Sequence, residues 1–256
     1  MRLKIQQIVI FITIILLAGC RQGPQGISQI DGRQLPITDS LTANDSIESF
    51  MKPYRDHVNR VLDSTLAYAP VTITKTEGEY NSPAGNLMAD IVLDRAQPIF
   101  YSRTGKKIDF TVLNYGGIRS VISAGPVSAR TAYEVMPFEN TIVVAELDGT
   151  AVRNLVGFLI RAQRPHPIAG IQIVLGPDEG IQEVNVQGIP FDENRKYYVA
   201  TSDYLAQGGD DMGLFQDALT YTDTDYYIRN AMIDYFKMVD TLRAAVDERF
   251  IKRNGP

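Results

Sequence analysis

Tryptophan is absent, cysteine occurs once and histidine twice among the 256 residues. One cysteine leaves no internal disulfide, so the folded part must hold itself by packing. The two histidines, His57 and His166, have no Cys cluster or paired-His spacing around them. That argues against a transition-metal site on this chain. His57 falls on the polar side of a helical pattern and His166 between two prolines in a loop, so both read as solvent-exposed imidazoles. Also missing are the Gly-rich loop ending in Lys-Ser or Lys-Thr that a P-loop needs and the Gly-x-Ser-x-Gly of a nucleophile elbow. Net charge is −5 and no block of Lys and Arg stands out, so no nucleic acid polymer is expected as a partner. A free mononucleotide is not excluded, because a few local groups suffice to hold one. The remaining composition, 45% hydrophobic and 21% charged, is that of a globular domain.

The N-terminus carries the clearest signal. Arg2 and Lys4 precede an apolar run from Ile8 to Leu17, broken only by Thr13, and Leu17-Ala18-Gly19-Cys20 closes it. This charged, apolar, small-residue order is that of a secretory signal. The apolar run is shorter than the ~20 residues of a comfortable membrane span. The segment resembles a bacterial lipoprotein signal, which implies cleavage before Cys20 and lipidation of its thiol. Arg21, where an Asp would retain the protein at the inner membrane, implies the outer membrane of a Gram-negative bacterium, on a face left open. Residues 1–19 are thus expected to be a signal peptide. Residues 20–44, rich in Gly, Pro, Gln, Ser, Thr and Asp, are expected to be a lipidated cysteine with a flexible tether. Residues 45–256 are expected to be one domain.

Within that domain, apolar steps of three and four predict a helix over Ser46 to Leu66, with Pro53 as a kink or its true start. Val71 to Ile73 alternates as a half-buried strand would. Ser82-Pro83 opens a second helix, which Pro98 ends. Asp109 to Leu113 and Thr141 to Leu147 read as buried strands, and Thr150 to Ala162 as an amphipathic helix. Gly170 to Leu175, Ile181 to Val186 and Lys196 to Thr201 read as strands separated by turns. A helix is predicted from Thr224 to Val239, and Leu242 to Ile251 is either helix or strand. The irregular alternation, with hairpin-like pairs, favours an α+β single domain with a mixed β-sheet and flanking helices.

Three stretches next to the buried strands carry candidate chemistry. Asn114-Tyr115-Gly116-Gly117-Ile118-Arg119 follows one strand: the glycines allow close backbone approach, Asn offers donors and an acceptor, and Arg offers a planar fork for phosphate or carboxylate. A strand-ending turn with a solvated Arg would look the same. Pro137-Phe138-Glu139-Asn140 precedes another strand, and Thr201 to Asp210, with Tyr204, Gly208 and Gly209, follows a third. Separately these are core-edge aromatics and turn glycines. Together they offer two aromatic faces for a planar heterocycle and amide and carboxylate partners for ring nitrogens and ribose hydroxyls.

In this order, Gly-Asn-Leu-Met-Ala-Asp (85–90), Asn-Tyr-Gly-Gly-Ile-Arg (114–119), Pro-Phe-Glu-Asn (137–140), Leu-Asp-Gly (147–149) and Tyr-Leu-Ala-Gln-Gly-Gly-Asp-Asp (204–211) resemble the C-terminal substrate-binding domain of the bacterial 5′-nucleotidase and UDP-sugar hydrolase family. The likeness runs over roughly residues 46 to 251. It implies that Phe138 and Tyr204 sandwich the base, that Asn114, Arg119 and Asn140 contact base, ribose or terminal group, and that Asp210 binds ribose hydroxyls. Gly116, Gly117, Gly208 and Gly209 complete the expected substrate-binding set. Where the family often has an Arg before the Gly-Asn-Leu helix, this chain has Gly78-Glu79-Tyr80-Asn81. The family's catalytic half binds two metals through Asp, Asn and His ligands, a set this chain does not supply. The resemblance therefore implies no catalytic residue and no cofactor here, divalent metals being expected only on a separate metallophosphatase chain that completes a split 5′-nucleotidase. A stand-alone nucleoside- or nucleotide-binding lipoprotein, and an interaction relic with a decayed pocket, are the alternatives.

Overall fold

A computed structural model describes residues 2–18, 29–38 and 40–253. Cys20, and with it the lipidation expected there, lies outside the described residues, as does the tether from 21 to 28. The chain divides into two units, Met1–Phe50 and Met51–Pro256. In the first, α1 spans Arg2–Ala18, and residues 29–38 have no regular secondary structure. No described helix is long and apolar enough to cross a membrane. The helix α2 (Asp45–Leu62) runs across the division, entered through Asn44, whose side-chain oxygen accepts the Ser46 and Ile47 N–H groups. Pro53 lies inside it, and the helix stops four residues before the predicted Leu66.

The second unit carries the rest of the chain. The first strand, β1 (Thr65–Ala69), lies earlier than the predicted Val71–Ile73, where only an isolated bridge from Ile73 to Ile122 forms. The inward residues of β1 are Ala67 and Ala69, too small to show strongly as an apolar alternation. Next, α3 (Pro83–Thr104) starts as predicted, with the Ser82 hydroxyl accepting the Gly85 N–H and Pro83 at its first position. It does not end at Pro98. That ring sits on an exposed face, as does Asp94, the residue whose carbonyl it cannot bond, while Ala96 and Phe100 stay anchored in the core. The helix stops instead at Gly105, left-handed at φ 70°.

After α3 come β2 (Phe110–Val112), β3 (Gly125–Ser128), α4 (Ala129–Val135), β4 (Thr141–Leu147) and α5 (Gly149–Ala162, capped by Asp148). Then follow β5 (Ile168–Ala169), β6 (Ile171–Leu175), β7 (Ile181–Val186), β8 (Ile189–Pro190), β9 (Tyr197–Ser202) and α6 (Asp203–Ala206). The chain finishes with β10 (Thr220–Tyr227), α7 (Ile228–Met238) and β11 (Phe250–Lys252). The helix predicted from Thr224 is strand as far as Tyr227: Thr-Asp-Thr-Asp-Tyr-Tyr has the β-branched, alternating character that favours pairing with β4. The ambiguous 242–251 stretch is mostly irregular and enters β11 at its end.

Three sheets result among the described residues. The strands β1 and β3 form an antiparallel pair, β10-β4-β9-β2-β5 a mixed sheet, and β11-β6-β7-β8 another mixed sheet. The five-stranded sheet is the frame of the fold. Side chains of β4 alternate between two apolar clusters: Ile142 and Val144 pack with α3, α4 and α7, while Ala145 and Leu147 pack with α5 and β6. With both faces covered, the strand carries a nearly continuous apolar run, Ile142 to Ala145 and Leu147, as its sequence suggested. The mixed α+β class is thus the one expected. The three-residue β2 is locked at its start by Asp109, whose carboxylate accepts the Tyr198 N–H at 2.7 Å and pairs with Arg195. Burial pushes the Asp109 carboxyl up, and its hydrogen bond to the Tyr198 backbone and the Arg195 guanidinium pull it back.

Candidate functional site

Strand directions decide where the three candidate loops go. The strands β2 and β9 are parallel neighbours, and β4 runs antiparallel to β9 with Ile142 opposite Ser202. The carboxyl ends of β2 and β9 and the amino end of β4 therefore lie at one end of the sheet. Residues 114–119, 203–210 and 137–140 extend from those ends. They enclose a cavity of about 250 Å³ lined by Asn114, Gly116, Gly117, Arg119, Phe138, Asn140, Tyr204 and Asp210. Gly208 and Gly209 are not among the lining residues. They form the turn behind Tyr204, Gly208 at φ 90° and Gly209 directly under the ring, where a Cβ would run into it.

The polar groups are arranged as a chain. Asn114, 7% exposed, donates from Nδ2 to Asp210 Oδ2 at 2.6 Å. Asp210 itself stands in the left-handed region at φ 52°, and its N–H donates to the Tyr204 hydroxyl at 3.2 Å. A non-glycine residue held there, next to Asp211 at φ 60°, is local strain of the kind that collects at binding sites. A side chain at Gly116 would press on the Asp210 carboxylate, and one at Gly117 on the Asn114 amide. The rings behave differently from the amide: Phe138 is 42% and Tyr204 43% exposed, large apolar surfaces left toward the cavity. The Arg119 guanidinium lies 5.9 Å from the Phe138 centroid, within cation–π range.

Three supporting residues were not legible as such. Arg229 of α7, buried at 7% exposure, donates to the Pro137 and Phe138 carbonyls and so holds the loop that carries Phe138. Its Nε has no hydrogen-bond partner. Lys75 donates from Nζ to the Ile118 carbonyl at 2.7 Å and stands 4.2 Å from the Tyr115 centroid. Burial, then the nearby Arg119 charge, hold its ammonium below the usual lysine value. Lys75 thus supplies a cation near the stretch where the expected arginine is missing. His166 is the clearest correction: the imidazole read as exposed is 7% exposed, packs on Phe158 at 5.7 Å between centroids, and accepts the Tyr115 N–H at Nδ1. Its flanking prolines signalled a loop, and nothing in the local sequence shows that the loop folds under another.

Comparison with known proteins places this geometry. The family described as 5′-nucleotidase, C-terminal domain, matches residues 64–217. The chain belongs to the 5′-nucleotidase C-terminal domain family. Protein UshA of Yersinia enterocolitica (serotype O:8 / biotype 1B) is 28% identical over 141 residues, 54% of this chain and 26% of the relative. The crystal structure of a 5′-nucleotidase precursor from Thermus thermophilus superimposes with a TM-score of 0.68 at 24% identity, covering 82% of this chain and 43% of that one. The Haemophilus influenzae NAD nucleotidase NadN gives 0.60 at 18% identity, covering 83% and 42%. These structural likenesses concern the fold. The chain spans about a quarter of the length of the UshA relatives it matches. All motifs that carried the resemblance through Asp211 lie inside the matched 64–217 region.

Proposed function

We propose that this 5′-nucleotidase C-terminal domain holds the nucleoside part of a nucleotide for hydrolysis by a metallophosphatase on a separate chain. The observation that carries the reading is the cavity. Two exposed aromatic rings, two asparagines, one arginine and one carboxylate from three distant segments meet in about 250 Å³. Phe138 and Tyr204 offer stacking surface to a base. Asn114 and Asn140 offer amide donors and acceptors to its edge. Asp210, already oriented by Asn114, accepts from ribose hydroxyls, and Arg119, with Lys75 behind it, favours the phosphate end.

A dinuclear metal centre does not fit this donor set. The cavity holds a single carboxylate, Asp210, and no imidazole lines it. Among the described residues no group of three or more His, Cys, Asp or Glu side chains could hold a metal ion. The work of these residues is to bind, orient and exclude water. Catalytic metals belong, on this reading, to the partner chain. The Leu17-Ala18-Gly19-Cys20 pattern supports lipid anchoring, and Arg21 after it the outer membrane, as part of the same proposal. Loss of labelled palmitate incorporation in Cys20→Ser would be its check.

The test is calorimetry of the full chain in detergent with adenosine, AMP and a UDP-sugar, each repeated with Tyr204→Ala. Binding that the variant loses supports the reading, and added metallophosphatase should then release phosphate from AMP. Equal heats from wild type and variant would overturn it.

A further inference from the structure

We propose that His166 is a positioning residue of the cavity: its unprotonated Nδ1 takes the Tyr115 N–H and so fixes the loop presenting Asn114, Gly116 and Gly117. Its functional meaning rests on reading the cavity as a ligand pocket; the fixing of the loop does not.

The β2–β5 ladder leads to this contact. Val112 pairs antiparallel with Ile168, and one step further the Leu113 N–H donates to the Pro167 carbonyl at 2.9 Å. Two residues on, the Tyr115 N–H meets no backbone carbonyl. It donates to His166 Nδ1 at 3.2 Å. A side chain thus extends the ladder past the end of the strand, where the chain turns into Tyr115–Gly117. The next side chain back, Asn114, is the one that reaches Asp210. Displacing the Tyr115 amide would move both the Asn114 amide and the glycines that line the cavity.

An imidazole differs from a carbonyl in this role, because it accepts only while Nδ1 is bare. A proton there would set a donor against a donor. The groups around the ring keep it neutral. Phe158 of α5 covers one side, and no carboxylate hydrogen-bonds to it. Burial holds the imidazole below its ordinary value, with Arg164 adding to that, while the Leu113 backbone and the Asp210 charge pull the other way.

The experiment uses the full chain in detergent, purified without a polyhistidine tag, so that His57 and His166 give the only two imidazole signals. Nitrogen NMR reports which ring nitrogen is bare, and hydrogen exchange of the 113–117 backbone is followed from about pH 5 to pH 8. The expected result is a bare Nδ1 at neutral pH and protection of the Tyr115 amide that falls about tenfold, beyond the intrinsic pH effect, as the ring titrates. His166→Asn, whose Oδ1 reaches the Nδ1 position, should keep the protection and abolish its pH step. His166→Phe, which keeps the ring packing and accepts nothing, should lose protection at every pH. A protonated Nδ1 at neutral pH, or full protection in His166→Phe, would overturn the proposal and leave His166 a packing residue. Calorimetry with AMP is a separate arm: exchange as expected without AMP binding would sink the ligand reading and leave the loop-holding role standing.

Discussion

Two of the motifs that carried the family resemblance have opposite fates in the fold. Gly85-Asn86-Leu87-Met88-Ala89-Asp90 opens α3 and is almost wholly buried. Asn86 donates to Asn81 Oδ1 at 2.7 Å and to the Ala245 carbonyl at 2.9 Å. Asp90 takes a bidentate hydrogen bond from Arg249, which also holds Asp247 and the Ile168 carbonyl. This region staples the C-terminal segment to α3. Tyr204 to Asp210 instead leaves an aromatic ring 43% exposed, a carboxylate in the open, and backbone at positive φ. Motif strength is therefore a poor guide to ligand contact. What separates the two regions is what they leave open: the Asn86 amide donors and the Arg249 guanidinium are taken up by several protein groups, whereas the Tyr204 ring keeps its face toward a cavity.

The comparison can be broken from the frame side first. Arg249→Met should cost about 2–3 kcal/mol, because it leaves Asp90, Asp247 and a carbonyl without their shared donor. Both carboxylates keep access to water, which holds the cost at the low end. Urea unfolding should show the loss, and AMP affinity per folded molecule should not change. A large affinity loss at unchanged stability would put Arg249 in the site.

On the cavity side, Tyr204→Ala should do the reverse, lowering AMP affinity by ~1–3 kcal/mol, with thermal stability nearly unaltered. Phe138→Ala should act similarly, and additivity of the two, measured as a double-mutant cycle, would argue against their sharing one base. Gly209→Ala sharpens the contrast further. Gly209 does not have positive φ, so the backbone tolerates alanine, but the new methyl must push the Tyr204 ring aside. An affinity loss of about 1 kcal/mol is expected, with a melting temperature within the range of ordinary surface substitutions. Equal affinity would show that Tyr204 does not need its seat on the turn.

The smallest effect is the pH dependence of stability through His166. Its folded imidazole resists protonation relative to the ordinary value of 6.5. Below that value the unfolded chain takes up a proton that the folded ring refuses, so stability is full above it and is lost as pH falls. Denaturant titrations at several pH values should show this slope in wild type and a shallower one in His166→Asn. A parallel pair of curves would mean that other groups carry the acid sensitivity.

Local patterns carried much of this fold. The run Thr141–Leu147 is β4 to the residue, because a strand covered on both faces shows as a nearly continuous apolar stretch, here Ile142 to Ala145 and Leu147. The Ser82-Pro83 start of α3 and the Asp148 cap of α5 follow from short-range hydrogen bonding that the residues themselves specify. The misreadings came where a local rule was outweighed. Pro98 stays within α3 because neighbouring side chains are buried. Thr220–Tyr227 is a strand because β4 presents an edge to it, with a bulge at Asp225 (φ 54°) that no period reveals. Arg229 and Lys75 went unseen, and His166 was read as exposed, because each supports a loop far away in sequence.

By itself the sequence determined the class of the fold, the family and the chemical kinds of residue at the cavity, since motif order and strand periodicity are local properties. Only the tertiary structure decided which residues do which work. The strand order placed three loop segments at one end of the sheet, the ladder continued through an imidazole 51 residues from its donor, and Asn86 found its partner 159 residues away. Whether a polar side chain is frame or site depends on what is packed against it, and that is set by burial among residues distant in the chain, which no local pattern encodes.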